Sequence, residues 1–257
     1  MTIFALLTIL FMSLFLDLSL AQWSMIALCA MLTGMSKVGV PGVSLLVIPV
    51  LALIFGGKLS TGLLLPILIM ADFVAVTYYR RHTKWNHLAR TLPWAFLGIM
   101  AAMWVGNIVN DQQFKNIIAL VVFACLGMML WKNNKNNYPE QLWFAALMGV
   151  FGGFASMIGN AAGPIFAIYL LALRLPKNNY IGTSAWLFCI VNLTKFPVHI
   201  LVWKTISIKS LTIDVMVFPA VLLGAFLGIK LINIIPEKTF RTIVIVITAL
   251  SAFLLLF

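Results

Sequence analysis

Acidic side chains are scarce in this chain. Six Asp and Glu stand against 17 Lys and Arg in 257 residues, and charged residues make up 9% of the whole. A soluble domain carries roughly 25%, so an ordinary soluble fold is excluded. Cysteine is rarer still. Cys29, Cys125 and Cys189 sit singly in apolar runs with no C-x-x-C spacing, which argues against a thiolate metal or redox motif and leaves three small core residues. Nucleotide and catalytic signatures are missing too. With no G-x-x-x-x-G-K-[ST], any ATP would have to act through another chain. With no H-E-x-x-H, no G-x-S-x-G and no close pair of carboxylates, an enzyme is not expected, nor is a cofactor.

What the chain has in abundance is apolar surface: 63% hydrophobic residues and a mean hydropathy of +1.09. Charge-free runs extend over Val38–Gly57, Thr91–Asn110, Asn116–Trp131 and Gln141–Leu173. A spanning helix needs about 20 apolar residues, so the sequence predicts an all-α polytopic membrane protein surrounded by lipid. The net charge of +11 suggests nucleic acid at first sight. Lys and Arg lie mostly between the apolar segments, however, as they do in the cytoplasmic loops of membrane proteins. No nucleic-acid partner is expected.

Residues 1–20 are apolar except for Asp17, with no basic leader and no A-x-A site. They read as an N-terminal helix or membrane-surface segment and not as a cleaved signal. Ala21–Thr33 and Val43–Phe55 follow, each 13 residues long. As helix each would cover roughly 20 Å against a hydrocarbon core of about 30 Å. Between them lies the broken run Gly34–Gly42, which holds Ser36, Lys37, Gly39 and Pro41. Ser60–Tyr79, Leu92–Val109 and Phe114–Trp131 are long enough to span. The loop Arg80–Arg90 has four fixed positive charges and no acid, which makes it cytoplasmic by the positive-inside rule. Two spans later comes a polar linker, 132–140, on the same side.

After the linker the order recurs. Gln141–Leu173 is 33 residues without charge, and its glycines, from Gly149 through Gly163, predict two short pieces around a second break. Tyr180–Trp203, Ile208–Ile232 and Phe240–Phe257 complete the set. At an offset of 120 positions Gly39 meets Gly159, Leu51-Ala52-Leu53 meets Leu171-Ala172-Leu173, Gly62 meets Gly182, Asp72 meets Asn192 and Lys84 meets Lys204. Six positions further out of step, Pro93 meets Pro219 and Gly98 meets Gly224. The sequence therefore divides into 1–20, repeat 21–131, linker 132–140 and repeat 141–257. Each repeat has a broken or re-entrant helix pair plus three transmembrane helices. Three is odd, so the repeats are expected to be inverted, the arrangement of many secondary transporters with a midplane site.

Irregular backbone at membrane depth survives only where protein or a water-filled cavity covers it. The breaks are thus the predicted binding site. Pro41 and Pro164 suit helix starts, and Gly39, Gly42 and Gly163 let a ligand approach the backbone. Two helix N-termini meeting there would attract an anion. Lys37 reads either as an anion ligand or as a lysine snorkelling to headgroups, and Lys195 carries the same two readings. Asp72, well inside a span, is either a structural ion-pair partner or a proton-coupling acid. Its repeat mate Asn192 lies one turn before Lys195.

Lys37 and Lys195 against Asp72 sum to +1, or +2 once Asp72 is protonated, which favours an anion and opens a route to proton coupling. Ser36, Ser44, Ser156, Asn160, Thr183 and Ser184 are further candidate donors, Asn160 the best placed of them. For each alone a bond to a neighbouring helix is the plainer reading. His82 and His87 read as solvated, His199 as a core or interface histidine.

At these residues the sequence resembles a known family. Gly34-Met35-Ser36-Lys37-Val38-Gly39-Val40-Pro41-Gly42, Ile48-Pro49-Val50-Leu51-Ala52-Leu53, Thr61-Gly62-Leu63-Leu64-Leu65-Pro66, Asp72 ahead of Tyr78-Tyr79-Arg80-Arg81, and Gly182-Thr183-Ser184 together are similar to the sulfite exporter TauE/SafE family of bacterial permeases. The first break departs from that family's common G-G-G form. The resemblance implies export of sulfite, a sulfonate or another small sulfur-containing anion across the bacterial inner membrane. Uptake of a sulfonate, carboxylate or other oxyanion and an uncoupled anion channel stand as alternatives.

Overall fold

The computed structural model describes residues 18–39, 43–55, 57–105 and 141–254. Most of the 1–20 segment, Pro41, Gly42, the Phe114–Trp131 span and the 132–140 linker lie outside them. The described residues are helical, with no strand among them. Helix α1 is Leu20–Val38, a short 3-10 turn covers Val43–Leu46, α2 is Val47–Phe55, α3 Gly57–Tyr79 and α4 Trp85–Val105. After the gap come α5 Leu142–Gly159, α6 Gly163–Ala172, α7 Lys177–Leu201, α8 Ile208–Ile234 and α9 Glu237–Leu254. Four stretches among the described residues, Leu59–His82, Leu142–Gly159, Lys177–Leu201 and Ile208–Ile234, are long and apolar enough to cross a bilayer. The chain is a multi-pass membrane protein.

Three expectations need correction. The first segment is not a 13-residue piece ending at Thr33. Helix α1 runs 19 residues to Val38 and takes Gly34, Ser36 and Lys37 inside it, so the break starts only at Gly39. In the second half Gly149, Gly152 and Gly153 lie within the continuous helix α5, and the break shrinks to Asn160–Ala162. The reason is packing. A Cβ at Gly153 would overlap the Ala95 carbonyl oxygen, one at Gly98 that of Val150, one at Gly34 that of Val221 and one at Gly224 that of Met31. These glycines let helix backbones touch, the usual role of small residues between membrane helices. Helix α4 also starts seven residues before the expected Leu92, which puts His87 and Arg90 on a helix.

The glycine contacts fix directions. Along the α1–α8 seam Met31 meets Gly224 and Met35 meets Gly228, so the two helices run the same way; α4 and α5 do likewise, Thr91 meeting Gly149 and Ala95 meeting Gly153. Helices α3 and α7 are antiparallel: Gly182, early in α7, packs on Tyr79 and His82, while Gly62, early in α3, packs on Thr205. They cross where Asp72 meets Asn192.

One end of the bundle is strongly basic. Asn179 donates to the His82 carbonyl (2.8 Å), Lys177 to the carbonyls of Ile232 and Ile235 (both 2.7 Å) and Arg241 to that of Leu175 (2.9 Å). Arg80, Arg81, Lys84, Arg174, Lys177, Lys230, Lys238 and Arg241 lie at this end, where Glu237 is the one acid among the described residues. Lys204 and Lys209 lie at the opposite end.

Candidate functional site

At the crossing of α3 and α7 Asp72 is fully buried. Lys37 of α1 places its Nζ 2.8 Å from Asp72 Oδ1, and Asn192 donates its side-chain N–H to Oδ2 at 2.6 Å. The same ammonium lies 4.1 Å from the centroid of the Phe188 ring. Long-chain lysine reaches this depth because α1 carries it there on its last turn. The snorkelling alternative does not describe this geometry, since the amine points to a buried carboxylate.

The two breaks meet beside this trio around a cavity of about 40 Å³. Helix α1 contributes Ser36, Lys37 and Gly39, and the 3-10 turn contributes Ser44, whose N–H donates to Ser36 Oγ at 3.3 Å. From around the second break come Ser156 of α5, Asn160 and Gly163 of α6. One face of α7 completes the wall with Tyr180, Ser184, Phe188 and Asn192, at the spacing of successive helical turns.

Helix ends around the cavity are treated unequally. The C-terminal end of α1 is closed by the Tyr79 hydroxyl, which donates to the Val38 carbonyl (3.1 Å). The C-terminal end of α5 is closed by Lys195, fully buried, donating to the Ser156 carbonyl (2.9 Å) and to Asn160 Oδ1 (2.7 Å). Helix α6, by contrast, begins at a buried alanine, Ala162, with no side-chain cap. Of the helices that begin outside the core, α1 and α8 each have a full capping box, from Ser19 with Gln22 and from Ser207 with Ser210, while α5 and α7 begin at Gln141 and Pro176 without a side-chain cap. So the carbonyl ends of α1 and α5 at the site have side-chain partners, while the start of α6, which borders the cavity through Gly163, has no side-chain cap.

Not every expected residue lines this space. Lys195 holds the break together from behind. Asn160 does line the space, but it is in the left-handed region (φ 55°) and spends its amide on Lys195 (2.7 Å) and on the Thr61 carbonyl (3.2 Å). Thr183 accepts from the Lys84 backbone N–H (3.0 Å) and anchors the basic loop outside the cavity. His199 is a core residue bonded to Thr205 (2.8 Å). His82 and His87 are half-buried and not fully solvated. Sequence reasoning gave no role to Phe188 or Tyr180, though their spacing with Ser184 and Asn192 on one helix face was a readable signal. It also passed over Asp214 of α8, which is buried with neither carboxylate oxygen hydrogen-bonded among the described residues. The rule that singled out Asp72 applies to it equally. No cluster of metal-ligating side chains occurs among the described residues.

Residues 26–255 match the family model described as sulfite exporter TauE/SafE, nearly the whole chain. No curated protein and no solved structure matches it.

Proposed function

The chain belongs to the sulfite exporter TauE/SafE family, a family of transporters and not of enzymes, and from that membership we propose a secondary transporter that carries a small sulfur oxyanion outward. The observation that carries the reading is the uncapped start of α6 beside the Lys37 ammonium. Buried N–H groups at a helix start need a partner, and an oxyanion supplies one together with the countercharge. Ser36, Ser44 and Ser184 offer hydroxyls around the same space. About 40 Å³ is room for roughly three water-sized groups. That suits sulfite better than an aromatic sulfonate.

Asp72 competes with the substrate for Lys37. Protonating Asp72 removes that competitor, so a proton and an anion bind cooperatively. A divalent oxyanion carrying one proton still moves a net negative charge, which an interior-negative potential drives outward by about 2.3 kcal/mol per 100 mV. Export then needs no second energy source.

The repeat correspondence in sequence and the matched α1–α8 and α4–α5 seams support two inverted repeats, 21–131 and 141–257. The α1–α2 pair opens toward one face and α5–α6 toward the other. The basic end supports a cytoplasmic assignment for the Arg80–Lys84 loop in a bacterial inner membrane.

Purified protein in liposomes tests the proposal through flux of sulfite, sulfate, thiosulfate and methanesulfonate. Sulfite movement accelerated by acid on the loading side is the expected result. Folded protein that moves none of the four would overturn it.

A further inference from the structure

A groove of about 730 Å³ runs between α3 and α8, outside the site just described. Met70, Phe73, Val74 and Thr77 form one stripe of α3 along it, and Phe218 and Ile229 of α8 form the facing wall. Phe73 and Tyr78 are each about half exposed (51% and 52%), so the groove opens to the outside of the bundle. It ends at Arg80 and Arg81, both exposed, and neither guanidinium is hydrogen-bonded or ion-paired among the described residues.

Length identifies the occupant. From Met70 to Arg81 is eleven residues of helical rise, about 16 Å, and one leaflet's hydrocarbon is about 15 Å, half of the core. Met70 stands two positions from Asp72, in the middle of its span, while the arginines stand at the basic surface. A soluble anion gains nothing from an apolar floor of that length. A zwitterionic lipid fills the floor but brings no net charge to two arginines that have no partner among the described residues.

We infer that the groove binds one phospholipid with a net negative headgroup, its phosphate on Arg80 and Arg81 and an acyl chain along Met70, Val74 and Thr77. The lipid lies on the back of the helix that carries Asp72 and braces α3 against α8. Transport therefore responds to the lipid composition of this leaflet.

Native mass spectrometry of the detergent-purified protein, exchanged into equimolar phosphatidylglycerol and phosphatidylcholine, reads the site directly. Wild type is expected to retain one phosphatidylglycerol in preference. Arg80→Gln with Arg81→Gln is expected to reduce that preference by about tenfold or more. Val74→Trp fills the floor with both arginines intact and is expected to release both lipids. An unchanged preference in the double arginine variant would overturn the inference. So would retained lipid in Val74→Trp, displacement of the lipid by millimolar glycerol 1-phosphate, or a second copy of the chain seated in the groove.

Discussion

Asn192 donates a 2.6 Å hydrogen bond to the carboxylate of Asp72, the residue 120 positions before it in the sequence. The two positions, which align at the 120-residue offset, thus carry an acid and its amide, and they face each other where the antiparallel helices α3 and α7 cross. An amide cannot compete for Lys37 as a carboxylate does, so the charge chemistry of the centre is one-sided. Lys37 reaches Asp72 from α1, and among the described residues no second lysine is bonded to Asn192.

Asp72→Asn removes the titrating competitor for Lys37. Sulfite flux in liposomes is expected to lose its acid stimulation, with a flat profile where wild type rises toward low pH. The anion should also bind more tightly, since Lys37 is freed. A variant with the wild-type pH profile would refute the coupling role.

Lys37→Met leaves Asp72 buried without a counter-ion. Removing one partner of a buried pair typically costs about 3–5 kcal/mol, so a large drop in thermal stability and loss of transport are expected. Adding Asp72→Asn to it should recover most of the stability and none of the transport. Recovery of transport in the double variant would mean that Lys37 serves Asp72 alone and not the anion.

Lys195→Met separates the two readings that the sequence left open for that lysine. If Lys195 closes the end of α5, as its bonds to Ser156 and Asn160 suggest, stability falls and the KM of surviving protein stays within about threefold of wild type, because a substrate contact worth the usual 1.4 kcal/mol would shift it about tenfold. A tenfold rise in KM at unchanged stability would make it an anion ligand.

The fold was legible where length and charge decide. Leu59–His82, Lys177–Leu201 and Ile208–Ile234 match their expected spans closely. Glycine was the ambiguous letter. Gly39 does end a helix, but Gly34, Gly149, Gly152 and Gly153 keep helical backbone and serve close packing, and the two roles depend on a neighbour that sequence spacing does not name. The site was half legible for a similar reason. Depth in the membrane marked Lys37, Asp72 and Lys195 alike, yet which way each amine turns is settled by the carbonyls and carboxylates nearby. Ala162 had no signal of its own, since its importance is the cap it does not provide.

Gly224→Leu and Gly98→Leu test the packing role. Each side chain would drive into a facing backbone, at Met31 and Val150 respectively. Overpacking by even a few methylenes costs about 1–3 kcal/mol or more, so both variants should lose folded yield in fluorescence-detected size-exclusion chromatography. Normal yield would show that the seams open easily.

Ala162 offers the most direct test of the anion site. Ala162→Ser gives α6 the cap it lacks, and a cap is worth about 1 kcal/mol, while Ala162→Asp adds a negative charge at the start of α6, one residue from Gly163 of the cavity wall. Sulfite flux measured in liposomes beside thermal stability should show the serine variant more stable and slower, and the aspartate variant folded but inactive. Wild-type flux in folded Ala162→Asp would contradict an anion site at this helix start.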